Sequence, residues 1–178
     1  MGKRSAFDRI ERDYYRTFDP KAVEALKPYI PAGTTFVEPC AGDGVLTDQL
    51  VSDMKLLCVG QYDIEPQRND IAELDALTLE EKHVSDADII LTNPPWDRKI
   101  LHAMIERFID LRPTWLLFDS NWMFTRQAAP YLKYCTNVVV IGRLKWIPNT
   151  TMAGKDDCCW FRFEKNNVLQ RTRFHNDR

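Results

Sequence analysis

Apolar and polar positions along the chain follow two periods. Short apolar runs recur at residues 34–38, 56–63, 87–91, 114–118, 136–141 and 158–164. Runs of that length, rich in β-branched and aromatic residues, read as strands of a buried sheet. Between them the spacing becomes helical. Asp19-Pro20 opens a helix carrying Val23, Leu26 and Ile30, and Val45, Leu46 and Leu50 begin another. Residues 99–111 place Ile100, Leu101, Met104, Ile105, Phe108 and Ile109 on one face. Residues 69–74 predict a short helix, and residues 121–134 a longer one with a kink or restart at Pro130. The alternation predicts a doubly wound, Rossmann-like α/β fold, with a mostly parallel sheet of seven or fewer strands. No helical pattern separates 136–141 from 158–164, so these runs are expected to pair as an antiparallel hairpin. Its long polar tip is residues 148–157. Residues 1–168 read as one domain, and residues 169–178 as a frayed basic tail.

Composition narrows this picture. A chain of 178 residues, 44% hydrophobic and 28% charged, can bury a full α/β core. No apolar run approaches the ~18 residues of a membrane span, and the charged N-terminus lacks the apolar stretch of a secretory signal. Cys40, Cys58, Cys135, Cys158 and Cys159 are odd in number, contain no C-x-x-C pair and lie mostly in apolar runs. That pattern fits reduced thiols of a cytoplasmic protein, and neither they nor the three histidines have metal-ligand spacing. The net charge of −2 conceals an asymmetry: residues 1–97 sum to −9 and residues 98–178 to +7. A basic second half suits a phosphate backbone, and an acidic first half suits a cationic or polyhydroxylated ligand.

Two stretches carry candidate chemistry. Thr92-Asn93-Pro94-Pro95-Trp96 follows the 87–91 run. Two prolines end a strand, since neither donates to the ladder and each fixes φ near −65°. The resulting rigid elbow offers the Asn93 amide, the Pro94 carbonyl and the Trp96 ring at the edge where open α/β sheets bind ligands. This set suits a planar group bearing an NH2. Upstream, Glu38-Pro39-Cys40-Ala41-Gly42-Asp43-Gly44 joins a strand to a helix, where small residues admit a ligand close to the backbone. Asp63 ends the next strand, 19 residues beyond Gly44, at about the distance where an acid holds ribose hydroxyls. Asp75 is placed for a second polar contact. A nucleotide-dependent dehydrogenase would need a third glycine where Thr47 stands.

In this order the motifs resemble the class I S-adenosylmethionine-dependent methyltransferases, and among them the small phage-type N6-adenine DNA methyltransferases. The likeness runs from about Asp13 to Phe163. Asp13-x-Tyr15-x-Thr17 is similar to the motif that caps the cofactor, with Phe18 where proline is usual. The resemblance implies S-adenosylmethionine as cofactor, held by Tyr15, Thr17, Glu38, Pro39, Ala41, Gly42, Asp43, Gly44, Asp63, Asp75 and Asn93. It implies catalysis by Asn93, Pro94, Pro95 and Trp96, the last in place of the commoner Tyr or Phe. Trp96, Trp146, Trp160 and Lys155 are the implied substrate contacts, through a stacked base and the closing hairpin. The implied substrate is the N6 amine of adenine in DNA. RNA adenine, a protein glutamine amide and a catalytically idle cofactor-binding module stay open as alternatives. No metal and no membrane are expected, and the compartment is cytoplasmic, that of a bacterial host if the chain is phage-encoded. The chain leaves little room for a separate target-recognition region, so a homodimer is one route to specificity.

Overall fold

A computed structural model describes residues 15–149, 152–167 and 171–176. Its strands are β1 (Thr35–Glu38), β2 (Leu57–Asp63), β3 (Ala72–Glu73), β4 (Ile89–Thr92), β5 (Thr114–Asp119), β6 (Cys135–Arg143), β7 (Asp157–Phe163) and β8 (Arg173–His175). They form one sheet in the order β3-β2-β1-β4-β5-β7-β6-β8. Every pairing is parallel except the two made by β7, which runs antiparallel between β5 and β6. The hairpin expected from the sequence is therefore present, with β7 folded back into the sheet rather than added outside it. The helices are α1 (Lys21–Glu24), α2 (Val45–Met54), α3 (Glu81–Val84), α4 (Arg98–Ile109) and α5 (Ala129–Leu132). None among the described residues is long and apolar enough to cross a membrane.

The strand period divides the core in two. Ile90, Leu116, Phe118 and Phe161 face one side and pack with α4 residues Leu101, Met104, Ile105 and Phe108. Their chain neighbours Ile89, Leu91, Leu117 and Trp160 face the other side and pack with Leu46 and Leu50 of α2 and with Val23 and Leu26. All four residues of β4 are buried, as a central strand covered on both faces requires. Asp97 caps α4 by accepting from the amides of Lys99 and Ile100. The chain therefore leaves β4 through the two prolines and enters α4 within a few residues, fixing the elbow at both ends.

Four expectations need correction. The sheet has eight strands, not seven or fewer. Residues 69–74 do not form a helix, because Ala72–Glu73 pairs with Tyr62 and Asp63 at the sheet's edge. Residues 121–134 do not form one long helix. Asp119 and Thr125 side chains accept backbone amides and divide the stretch into 3₁₀ turns, Ser120–Phe124 and Arg126–Ala128, before α5 starts around Pro130. The tail is not frayed at 173–175, where Arg173–His175 pairs parallel with β6. There Asn137 and His175 share a 3.1 Å hydrogen bond, and the Tyr29 and His175 rings lie 4.5 Å apart.

Candidate functional site

The parallel strands β1, β2, β4 and β5 end on one edge, and their last residues make the site. Glu38 closes β1 and is buried. Removal from water pushes its carboxyl up to about 8, with Asp63 and Asp43 adding to the rise, so it holds a proton at neutral pH. The Thr47 hydroxyl, in the first turn of α2, donates to it in a very short hydrogen bond. By sequence, Thr47 is notable only as the residue that stands where a dehydrogenase would carry its third glycine. A buried carboxyl needs a donor, and that need was the available signal.

Gly42 and Gly44 have φ of 56° and 75°, the left-handed region that side chains resist. Gly44 is also the N-cap of α2. The Asp63 carboxylate ties this loop to β2, accepting from Gly42 N at 2.7 Å and from Glu65 N at 2.8 Å. Each oxygen keeps a lone pair for a further donor such as a ribose hydroxyl. Arg68, absent from the sequence reading, lies against the loop. It pairs with Asp48 at 2.6 Å and Asp70 at 2.8 Å, tying α2 to the segment after β2. Pro39 and Ala41 are buried beneath the loop, and Asp43 pairs with Arg16. Asp75 is exposed and accepts from Leu77 N at the start of the 3₁₀ turn Ala76–Thr78. It is close enough to Cys40 that burial and the charges of Asp63, Glu38 and Asp75 together push that thiol far above its usual range.

Gly44→Ala tests the loop. The new Cβ would sit 2.6 Å from the Arg68 guanidinium at a φ that costs an L-residue about 1–2 kcal/mol. Thermal unfolding should fall by roughly 2–8 °C as the loop shifts. An unchanged melting temperature would show that the loop and Arg68 accommodate the added methyl.

The elbow carries the most informative hydrogen bonds. The Asn93 Nδ2 donates to Tyr15 O at 3.2 Å and to Thr17 Oγ1 at 3.0 Å. Its Oδ1 accepts from the Trp96 indole at 3.1 Å, and that N–H is shared with Leu117 O at 3.2 Å. An indole only donates and a peptide carbonyl only accepts, so the two ends of the amide are assigned without ambiguity. Both amide hydrogens are used, and Oδ1 retains one lone pair. The 15–17 segment thus sits on the elbow. Asp13 lies outside the described residues. Pro94 is buried and Pro95 half-buried.

Aromatic rings frame the elbow. Trp96 meets Trp146 edge-on at 5.6 Å and 86°, and Tyr15 meets Trp146 at 6.2 Å. Gly154, hydrogen-bonded to Leu144 O at 2.7 Å, packs on Trp146 so closely that a Cβ would lie 2.8 Å from the indole. Lys155 is exposed beside it. Trp160 is a correction: it is fully buried, and its N–H donates to Ala22 O at 2.8 Å. The alternation of β7 turns it into the core with Cys158, so it can touch no substrate. Among the described residues no cluster of His, Cys, Asp and Glu could hold a metal. An open groove of about 720 Å3 between α1 and β6, lined by Tyr29, Val139 and Ile141, shares no residue with the glycine loop or the elbow.

No family model and no curated protein matches this chain. Solved structures do. A crystal structure assigned as a class I S-adenosylmethionine-dependent methyltransferase from Listeria monocytogenes is similar over 96% of this chain and 68% of its own, with a TM-score of 0.63 and 10% identity. The chain has the class I methyltransferase fold. A dimethyladenosine transferase from Plasmodium falciparum is similar over 81% of this chain and 59% of its own (TM-score 0.52, 17% identity). The M protein of the type I restriction enzyme EcoKI is similar over 86% and 45% (TM-score 0.50, 12% identity). The glycine loop after β1 and the elbow after β4 both lie at the carboxyl edge of the parallel strands.

Proposed function

We propose that this chain transfers a methyl group from S-adenosylmethionine to the N6 amine of adenine in DNA. The observation that carries the reading is the oriented Asn93 amide, whose carbonyl is the one end left with spare hydrogen-bonding capacity. The names of two structural neighbours, a dimethyladenosine transferase and a restriction-enzyme M protein, support a nucleic-acid substrate.

The residues fit the cofactor. Gly42 and Gly44 turn the loop at positive φ, with the Arg68 guanidinium packed on Gly44, Asp63 has acceptor capacity for ribose, Asp75 stands near for the adenine ring, and Tyr15 and Thr17 close over the elbow. The bound cofactor supplies an electrophilic methyl on a sulfonium. The chain's own task concerns the nucleophile. An exocyclic amine is a weak nucleophile because its lone pair is delocalised into the ring. Asn93 Oδ1 and the Pro94 carbonyl accept its two hydrogens and favour a pyramidal nitrogen, with the lone pair directed at the methyl. As the N–CH3 bond forms, the S–CH3 bond breaks and the amine loses a proton to water. This is positioning and electrostatic stabilisation, with no general base required.

The base must leave its stack to reach the elbow. Trp96 and Trp146, nearly perpendicular, form a corner for a flat ring, and one base–aromatic stack contributes about 1–3 kcal/mol. Lys155 stands beside this corner for a phosphate. The test supplies labelled S-adenosylmethionine with duplex DNA, single-stranded DNA, structured RNA or a protein extract, then identifies the methylated product. N6-methyladenine in DNA is the expected result. Label in RNA or on glutamine would move the substrate while keeping the pocket, and no label with cofactor bound would overturn methyl transfer.

A further inference from the structure

Away from the carboxyl edge, the flank made by residues 120–134, β6 and β8 presents an unusual surface. Phe124 is 79% exposed and Phe174 66% exposed, although large aromatics normally contribute to a core. Both line a shallow groove of about 240 Å3 whose floor includes Met123, Leu132 and Val138. The flank's own segments carry charge of one sign, although the exposed Glu106 of α4 lies beside them and accepts from the Tyr131 hydroxyl at 3.0 Å. Residues 120–155 contain no Asp or Glu, and neither do residues 165–176. Arg126, Lys133, Arg171 and Arg173 are exposed; Arg126 follows Phe124 by two residues, whereas Arg173, the neighbour of Phe174 in β8, projects to the other face of the sheet, the side of His175. None of the four makes an ion pair among the described residues.

We propose that this flank docks single-stranded nucleic acid, with Phe124 and Phe174 as stacking platforms and Arg126, two residues from Phe124, toward the phosphates. Exposed aromatic faces beside an unpaired arginine are what unstacked bases and a phosphate backbone require. The groove is below the ~300 Å3 at which small-molecule pockets begin. A second copy of the chain would bring like charges together, which opposes self-association through this face. The geometry also connects the flank to the site. β6 runs from Val138 in the groove to Arg143 at the carboxyl edge, about 17 Å at ~3.3 Å per residue, or roughly five stacked nucleotides at ~3.4 Å each. The chain would thus hold its strand on the body of the fold. The proposal extends the nucleic-acid reading of the site but stands on different residues.

The experiment measures fluorescence anisotropy of labelled single-stranded RNA, single-stranded DNA and duplex DNA on the full chain. Phe124→Ala combined with Phe174→Ala should weaken single-strand binding about tenfold or more. Thermal unfolding and S-adenosylmethionine affinity should not change, since both rings are on the surface. Arg126→Ser should lower the slope of log affinity against log salt by roughly 0.7. The tighter of the RNA and DNA probes identifies the natural strand. Unchanged single-strand affinity in the phenylalanine variant, or a duplex that binds tighter than both single strands, would overturn the proposal. Binding is scored separately from methyl transfer. A wild-type chain that binds but never methylates leaves the flank standing and sinks the reading of the elbow. One that methylates with the same KM in the phenylalanine variant does the reverse.

Discussion

Asn93→Ala should lower methyl transfer by at least roughly 10²–10³-fold, the loss typical when one preorganised polar contact to the reacting group is removed. The expectation rests on one atom. Tyr15 O and Thr17 Oγ1 hold the Nδ2 side of the amide, and Oδ1, which accepts from the Trp96 indole, is the end with a lone pair left for a substrate amine. Alanine removes that acceptor and also frees the 15–17 segment and the Trp96 indole. The two losses separate kinetically. Loss of the acceptor lowers kcat, whereas a loosened cap raises the KM for S-adenosylmethionine. Thr17→Val supplies the comparison, because it removes one anchor of the amide while leaving Oδ1 in place. It should retain most of kcat with a raised cofactor KM. If Asn93→Ala keeps more than a tenth of wild-type kcat, the elbow does not activate the amine.

The pH dependence of stability should change most on replacing Glu38. Its folded pKa is raised from the ordinary 4.5 to about 8, chiefly by burial. A raised folded pKa means that the folded state binds the extra proton. The associated stability is fully present below about pH 4.5 and is lost as pH climbs through about 8. Glu38→Gln keeps shape and polarity but has no proton to lose. Wild-type thermal unfolding should therefore fall relative to the variant between about pH 4.5 and pH 8. The difference is on the order of a few kcal/mol, or roughly 10 °C for a chain of this size. Parallel melting curves for the two proteins would show instead that Glu38 ionises freely. The same variant should weaken cofactor affinity most at high pH, where an ionised Glu38 would otherwise offer a buried negative charge beside the glycine loop.

Period-two and period-3.6 patterns determined the alternating α/β order, the main strands, α2 and α4, because these elements bury one face or both and the burial is written in residue type. Turn chemistry determined the glycine loop and the Asn93-Pro94-Pro95 elbow, since positive φ and an absent N–H are properties of single residues. Patterning was silent where pairing or hydrogen bonding outweighs local preference. Ala72–Glu73 became a strand because β2 offered an open edge, and Arg173–His175 because β6 did. The 120–128 stretch lost its helix to side-chain caps from Asp119 and Thr125.

At the site the division is the same. Sequence named Glu38, Gly42, Gly44, Asp63 and Asn93 because each ends a strand or turns the chain. It could not tell Trp146 from Trp160. Both are tryptophans of the closing hairpin, and only the register of β7 buries one beneath Ala22 O while the other stands against Trp96. Nor could it find the Thr47–Glu38 hydrogen bond, the Arg68 latch or the amide orientation of Asn93, which join residues from different strand ends. The sequence by itself determined which residues turn the chain at the sheet's edge. The tertiary structure alone decided which atoms face each other across that edge, because contacts between distant segments depend on register and packing that no local pattern encodes.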